Sequence, residues 1–158
     1  MSFLVPLMLI LAAFLGMEFM AWFTHKYVMH GFLWSWHEDH HKPHHEKKGF
    51  WEKNDRFFLV FAVPSFFCYL LGSLLEETRF LLYIGIGISI YGICYFLVHD
   101  VYIHRRFDWF THLDNRYSKA ILRAHGAHHA KQTKEDCESF GMLFVNKKYY
   151  GNRDKTKS

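Results

Sequence analysis

Ten histidines dominate the chemistry available to this sequence, and they fall into two copies of one spacing. His25 and His30 form an H-x4-H pair, followed by His37, His40 and His41 as H-x2-H-H. His99 and His104 repeat the pair, and His125, His128 and His129 repeat the triplet. Neutral imidazole is a borderline ligand suited to Fe, Zn, Cu and Ni. Ten of them exceed the needs of one ion and fit two ions with four to five ligands each. On a helix, the spacing i, i+3, i+4 sets two of the three pairs in each triplet on a shared face. A tract that buffers metal loosely would explain the first cluster alone, but not a second copy of the pattern. The remaining histidines read differently. His44 and His45 follow Pro43, which tends to end a helix, and look like a solvated turn. His112 stands alone and reads as an interfacial side chain. Glu38, Asp39, Glu46 and Asp100 lie beside the boxes. They are either acceptors for ligand N–H groups or ordinary exposed acids.

The elements that must position these histidines are apolar runs. Residues 3–24 are broken only by Glu18, and residues 57–75 and 80–98 carry no charge. A membrane-spanning helix needs roughly 20 apolar residues to cross a hydrocarbon core of ~30 Å, and all three runs qualify. Uninterrupted runs of this length are rare in soluble cores. The first run lacks the basic start and small-residue cleavage site of a signal peptide. At 158 residues, 51% of them apolar, a mean hydropathy of −0.09 means that apolar and polar blocks are segregated along the chain. The expected fold is therefore all-α: an integral membrane helical bundle with three transmembrane helices, one domain over residues 1–158, and a His-rich helical cap built from residues 25–45 and 99–129. The short turn Glu76–Arg79 makes the last two spans a hairpin, so residues 25–56 and 99–158 share one side of the membrane. All 13 histidines lie there, and of 19 Lys and Arg only Arg79 lies opposite. The positive-inside rule makes the His-rich side cytoplasmic and the N-terminus external, in the cell (inner) membrane. All five tryptophans, Trp22, Trp34, Trp36, Trp51 and Trp109, fall at or beyond the same span ends, as an interfacial belt requires. The cysteines, Cys68, Cys94 and Cys137, are isolated and odd in number, which gives no disulfide framework.

The boxes and their flanks, "MEFMAWFTHKYVMHGFLWSWHEDHH", "FLVHDVYIHRRF" and "CESFGMLF", resemble the bacterial β-carotene 3-hydroxylases. These are a branch of the membrane-bound fatty acid hydroxylase superfamily of non-haem di-iron enzymes. The resemblance runs from about Phe3 to Phe144. It implies a centre of two Fe ions ligated by His25, His30, His37, His40, His41, His99, His104, His125, His128 and His129. It further implies O2 as co-substrate, hydroxylation of carbon 3 of the β-ionone rings of β-carotene, and β-cryptoxanthin and zeaxanthin as products. Family topologies are often drawn with four spans, so a fourth membrane-associated segment in the last third of the chain stays open.

An aliphatic C–H is beyond the reach of any side-chain acid or base, so iron and O2 supply the oxidant while the protein supplies position and exclusion of water. Reducing equivalents must come from outside, because no nucleotide-binding motif is present; "GIGISIYG", residues 85–92, lacks the G-x-G-x-x-G pattern. A ferredoxin-type donor fits. Arg105, Arg106, Arg116, Lys119 and Arg123 would dock an acidic carrier or anionic membrane lipids; no nucleic acid is expected as a partner. The carotenoid substrate must arrive from the bilayer. Cavity walls are expected near Trp22, Phe96 and Tyr102. Gly85, Ser89 and Gly92 form a small-residue stripe, read as helix packing ahead of a substrate groove. Pro64 with Ser65 marks a point where the second span can bend. Glu18 is costly in lipid and should face the bundle, as a buried hydrogen-bond partner ahead of a cavity lining beneath the metals. Two rivals stay open: a related membrane oxidase (a carotenoid 4-ketolase or a fatty acid hydroxylase), which product analysis separates, and a non-enzymatic metal-handling protein. The second rival would place its ligands along a crossing path rather than on one side.

Overall fold

A computed structural model describes residues 3–42, 50–109 and 112–151. His44, His45 and Glu46 lie outside the described residues. Among those described, all regular structure is helical. The first helix, α1, spans Leu4–Phe23 and continues without a break into a π-helix, Thr24–Phe32. Gly31, with non-helical φ and ψ, then turns the chain into the short helix α2, Trp34–His41. A 3-10 turn, Lys53–Phe58, leads into α3, Leu59–Leu74. That turn is closed by a reciprocal cap in which the Glu52 amide donates to the Asp55 carboxylate at 3.0 Å. Helix α3 runs on through Pro64, and the Ser65 hydroxyl donates to the Ala62 carbonyl at 3.1 Å.

A tight turn at Glu76–Thr78 reverses the chain, and the Thr78 hydroxyl donates to the carbonyls of Leu71 and Leu75, which also accept the Leu75 and Thr78 amides. Helix α4, Leu81–Tyr95, packs between α1 and α3 and continues as a second π-helix, Phe96–Ile103. Small residues set these approaches. A Cβ on Gly87 would lie 2.8 Å from Ala13 Cβ and still closer to the Ile10 carbonyl oxygen, so α4 lies against the α1 backbone there. Gly85 meets Tyr69 and Cys68 of α3, and the Ser89 and Tyr69 hydroxyls hydrogen-bond at 3.0 Å.

Three continuous helical stretches, Leu4–Phe32, Lys53–Leu74 and Leu81–Ile103, are long and apolar enough to cross a membrane. Their outward side chains, such as Leu15 and Phe19 on α1, Phe66 and Phe67 on α3 and Ile93 on α4, are exposed. An apolar surface this continuous fits hydrocarbon rather than water. The remaining helix, α5 (Arg116–His129), is too short and too charged to be a fourth span. Its start is capped by Asn115, which accepts from the Ser118 amide at 2.8 Å. Its buried Ala120 and Ala124 pack under Tyr149 of the last 3-10 turn, Lys147–Tyr150. The C-terminal ends of α1 and α4 and the N-terminal end of α3 thus meet at one end of the bundle, together with α2 and α5.

The α1–α4 contact makes a direct test of this packing. Gly87→Ala should destabilise the detergent-solubilised protein by about 1–3 kcal/mol, the usual cost of overpacking, seen as a lower thermal midpoint. Gly16→Ala, where an added Cβ meets nothing within 4 Å, should leave the midpoint unchanged.

Candidate metal centre

Each H-x4-H pair sits on a π-helical turn, His104 being the residue that caps the second π-helix. On an α-helix, with about 100° per residue, residues five apart diverge by about 140°. The wider π turn, bonded i to i+5, brings them to one face. His99 and His104 themselves close such a turn, with the His104 amide donating to the His99 carbonyl at 2.9 Å. On α2 and α5 the triplets keep α-helical geometry, so His37 and His41 diverge by about 40° while His40 lies about 100° from His41.

These angles sort the ten imidazoles into two sets. His25, His30, His37, His41 and His128 bring one nitrogen each within 4.8 Å of all the others. His40, His104, His125 and His129 do the same, and His99 joins them with its Nε2 3.0 Å from that of His40. The middle histidine of each triplet therefore crosses over. His40 leaves its own triplet for the second set, and His128 leaves its own for the first. Apart from that exchange, each set holds one H-x4-H pair and the outer two members of one triplet. His37, His40, His41 and His128 are all at most 3% exposed.

The hydrogen bonds fix which nitrogen faces inward. Nδ1 of His25, His30, His41 and His128 donates to the carbonyls of Phe140, Lys134, Lys131 and Glu138 at 3.0, 3.1, 2.8 and 2.9 Å. Nδ1 of His37 donates to Asn54 Oδ1 and that of His40 to Glu52 Oε2, each at 2.7 Å; His99 Nδ1 lies 3.5 Å from Asp100. With these protons directed outward, Nε2 carries a lone pair, and the lone pairs face one another. Nε2 of His37 is 3.1 Å from that of His25 and from that of His41, and His30 is 3.1 Å from His128. His129 Nε2 is buried without a hydrogen-bond partner. Facing lone pairs cannot bond each other, and a cation between them satisfies all of them at once. The donor set therefore fits metal ions, with outward acceptors fixing tautomer and ring orientation.

Protonation is the competing way to quiet the lone pairs, and burial opposes it. Desolvation, helped by neighbouring imidazoles, holds His37 down at about 2 and His128 at about 3. It pushes His40, His125 and His129 well below the ordinary value near 6.5.

The acids named from sequence behave unevenly. Asp100 approaches His99, but Glu38 pairs with Lys42 and Asp39 accepts from the Lys53 amide. The acceptors that sequence reasoning missed are Glu52, Asn54 and four backbone carbonyls. The polar "EKND" run ahead of the second span was the available signal for the first two. Trp34 packs on His30 and His41 at 5.1 and 5.2 Å instead of joining an outer belt. His112 is exposed and belongs to neither set. Of the five basic residues named for docking, Arg106 bridges Asp55 and Asp100, and Arg123 donates to the Tyr149 carbonyl.

A cavity of about 420 Å³ opens beside His99 of the second set, at the end of the bundle where α1, α3 and α4 approach the histidines. Its walls are apolar, with Ala21, Phe57, Phe61, Gly92, Tyr95 and Phe96, and its polar end holds His99 and Asn54. Size and lining suit a ligand pocket. Of the three wall residues expected from sequence only Phe96 lines it. Trp22 borders a separate groove, and the buried Tyr102 donates to the Leu113 carbonyl. Gly92, part of the small-residue stripe, faces Phe61 and leaves the wall open.

A pH dependence follows from the buried neutral histidines. Their folded values lie below the unfolded ones, so the unfolded chain takes up more protons once pH falls below about 6.5. The metal-free protein should therefore lose thermal stability on acidification from pH 7 to 5, each such group contributing up to about 1.4 kcal/mol per pH unit. Thermal denaturation of metal-free protein across this range checks it, and a flat profile contradicts the neutral assignment.

Comparison with known proteins places this chain in a family. The fatty acid hydroxylase family model matches residues 10–147. A β-carotene hydroxylase from Pseudescherichia vulneris is 39% identical over 144 residues, covering 91% of this chain and 79% of that protein. One from Pantoea ananas is 41% identical over 139 residues, covering 87% and 76%. The chloroplastic β-carotene 3-hydroxylase 2 of Arabidopsis thaliana is 35% identical over 126 residues, 77% of this chain and 40% of its own length. No solved structure matches the chain significantly. The chain is an enzyme of the fatty acid hydroxylase family, in the group that contains the bacterial β-carotene hydroxylases.

Proposed function

We propose that the protein hydroxylates carbon 3 of the β-ionone rings of β-carotene, giving β-cryptoxanthin and then zeaxanthin. Two irons are held by the two five-histidine sets. The observation that carries this reading is the pair of converging Nε2 sets, with Nδ1 protons directed outward to fixed acceptors. The names of the relatives supply the substrate class. Iron with O2 supplies the oxidising power that an unactivated C–H demands, one oxygen atom going to carbon and the other to water.

The chain's own residues would do the rest. Phe57, Phe61, Tyr95 and Phe96 would grip one ring in the apolar cavity while the polyene extends into the bilayer. Exposed Phe58 and Trp51 at the cavity rim would guide an apolar substrate in from lipid. His99, at once in the cavity wall and in contact with His40, would set the ring against the second set. Carbon 4 is allylic and chemically easier, so attack at carbon 3 requires geometry; a misplacement of about 1 Å can cost roughly a hundredfold. The two electrons would come from a ferredoxin-type carrier. The single membrane domain would lie in the inner membrane with the His-rich end cytoplasmic and the N-terminus external, as the Lys and Arg distribution favours.

Expression in β-carotene-accumulating cells under isotopically labelled O2 tests this. Labelled β-cryptoxanthin and zeaxanthin are expected, whereas canthaxanthin as main product, or label arriving from water, would overturn the assignment. His40→Ala should abolish product while His112→Ala keeps most of it. Gly92→Leu should fill the cavity and cut turnover at least about tenfold without changing bound metal, and Phe96→Ala should leak oxidation towards carbon 4.

A further inference from the structure

The segment "CESFGMLF", Cys137–Phe144, carries no histidine, and Glu18 is the one charge in the first apolar run. The structure joins the two. Glu18, 5% exposed, accepts three backbone N–H donors on Oε1, from Met142, Leu143 and Phe144 at 3.0, 2.9 and 3.1 Å. Its Oε2 accepts from the fully buried Tyr91 hydroxyl. Every contact uses the carboxylate as acceptor, and successive amides wrap one oxygen as a nest wraps an anion. The segment thus pulled down onto α1 holds two of the Nδ1 acceptors, the Glu138 carbonyl for His128 and the Phe140 carbonyl for His25. The Phe140 ring packs on His25, His30 and His128, centroids 5.5, 5.1 and 5.2 Å apart.

We propose that Glu18 is a positioning residue: by anchoring the 138–144 strap to α1 and Tyr91, it fixes the orientation of His25 and His128 and so supports the first five-histidine set. The support is one-sided. Among the described residues, the backbone carbonyls that accept from boxed histidines, at residues 131, 134, 138 and 140, serve the first set. In the second set, His40 and His99 turn to Glu52 and Asp100 instead. Loss of the anchor should therefore loosen one metal site and spare the other. Glu18 touches no substrate and no histidine in this role; it acts through the strap.

The inference rests on the two-metal reading, and Co(II) titration of the metal-free protein separates the two claims. Wild type should bind two Co(II) per chain, read by visible absorption and metal analysis. Fewer than two overturns the metal reading itself, before any variant is compared. Glu18→Ala should keep one ion as in wild type and bind the other at least about tenfold more weakly, within the range for loss of an outer hydrogen-bond partner. The spectrum of its retained ion should match that of His37→Ala, not that of His125→Ala. Glu18→Gln should restore the second ion, because its amide oxygen still accepts the three N–H groups and its NH2 can donate to Tyr91. Gly141→Ala would place a Cβ 3.3 Å from Glu18 Oε1; it should weaken the same site with the span intact, and it decides the matter should Glu18→Ala fail to insert. The proposal is overturned if Glu18→Ala or Gly141→Ala titrates as wild type, if Glu18→Ala loses both ions alike, or if Glu18→Gln is as weak as Ala.

Discussion

Neutral imidazoles packed with their lone pairs inward repel one another, and this protein gathers ten histidine rings at one end of the bundle, seven of them with Nδ1 turned outward. Protonation would relieve the repulsion only by burying charge, which the surroundings oppose. Relief by cations requires that each ring be locked, N–H outward, against a fixed acceptor. Much of the chain outside the spans follows from that requirement. The Glu52–Asp55 turn presents a carboxylate and an amide to His40 and His37. The stretch after α5 folds back to offer carbonyls at residues 131, 134, 138 and 140. The three long helices are the rigid frame that holds these pieces at one end of the bundle.

Crossover of His40 and His128 has a consequence for assembly. Neither five-member set is complete within one half of the chain, because each draws one ligand from the other half. The first half contributes α1 and α2, the second α4 and α5, and α4 packs directly on α1. Folding of the histidine layer is thus coupled to packing of the spans, and metal bound across the halves would stabilise that packing in return. The cavity sits on the same seam, between the ends of α1, α3 and α4. A substrate drawn from the bilayer would therefore meet the second set without crossing water.

The spans were legible in the sequence because a run such as residues 80–98, without a charge, has no comfortable place except hydrocarbon. Crossing parity then led to the expectation of one His-rich end, and the duplicated spacing picked out the ten rings that the structure brings together. Three things were hidden. The π-helices were hidden because local propensity favours ordinary α-helix, although H-x4-H is the spacing that a π turn would align. The exchange of His40 and His128 depends on how α2 and α5 face each other, a tertiary relation that no spacing encodes. Backbone carbonyls such as those of Lys131 and Phe140 leave no residue-type signature at all, whereas Glu38, conspicuous beside the box, turns outward to Lys42. Glu18 showed its burial but not its partners, since the amides it collects lie more than 120 residues away along the chain.

The most direct test of the two-set arrangement is X-ray absorption at the iron edge of protein reconstituted anaerobically with Fe(II), combined with iron analysis. Two irons per chain, each in a shell dominated by imidazole nitrogen, are expected, and His40→Ala should strip a ligand from the iron held with His99, His104, His125 and His129. A firm stoichiometry of one iron per chain, or a shell dominated by carboxylate oxygen, would contradict it.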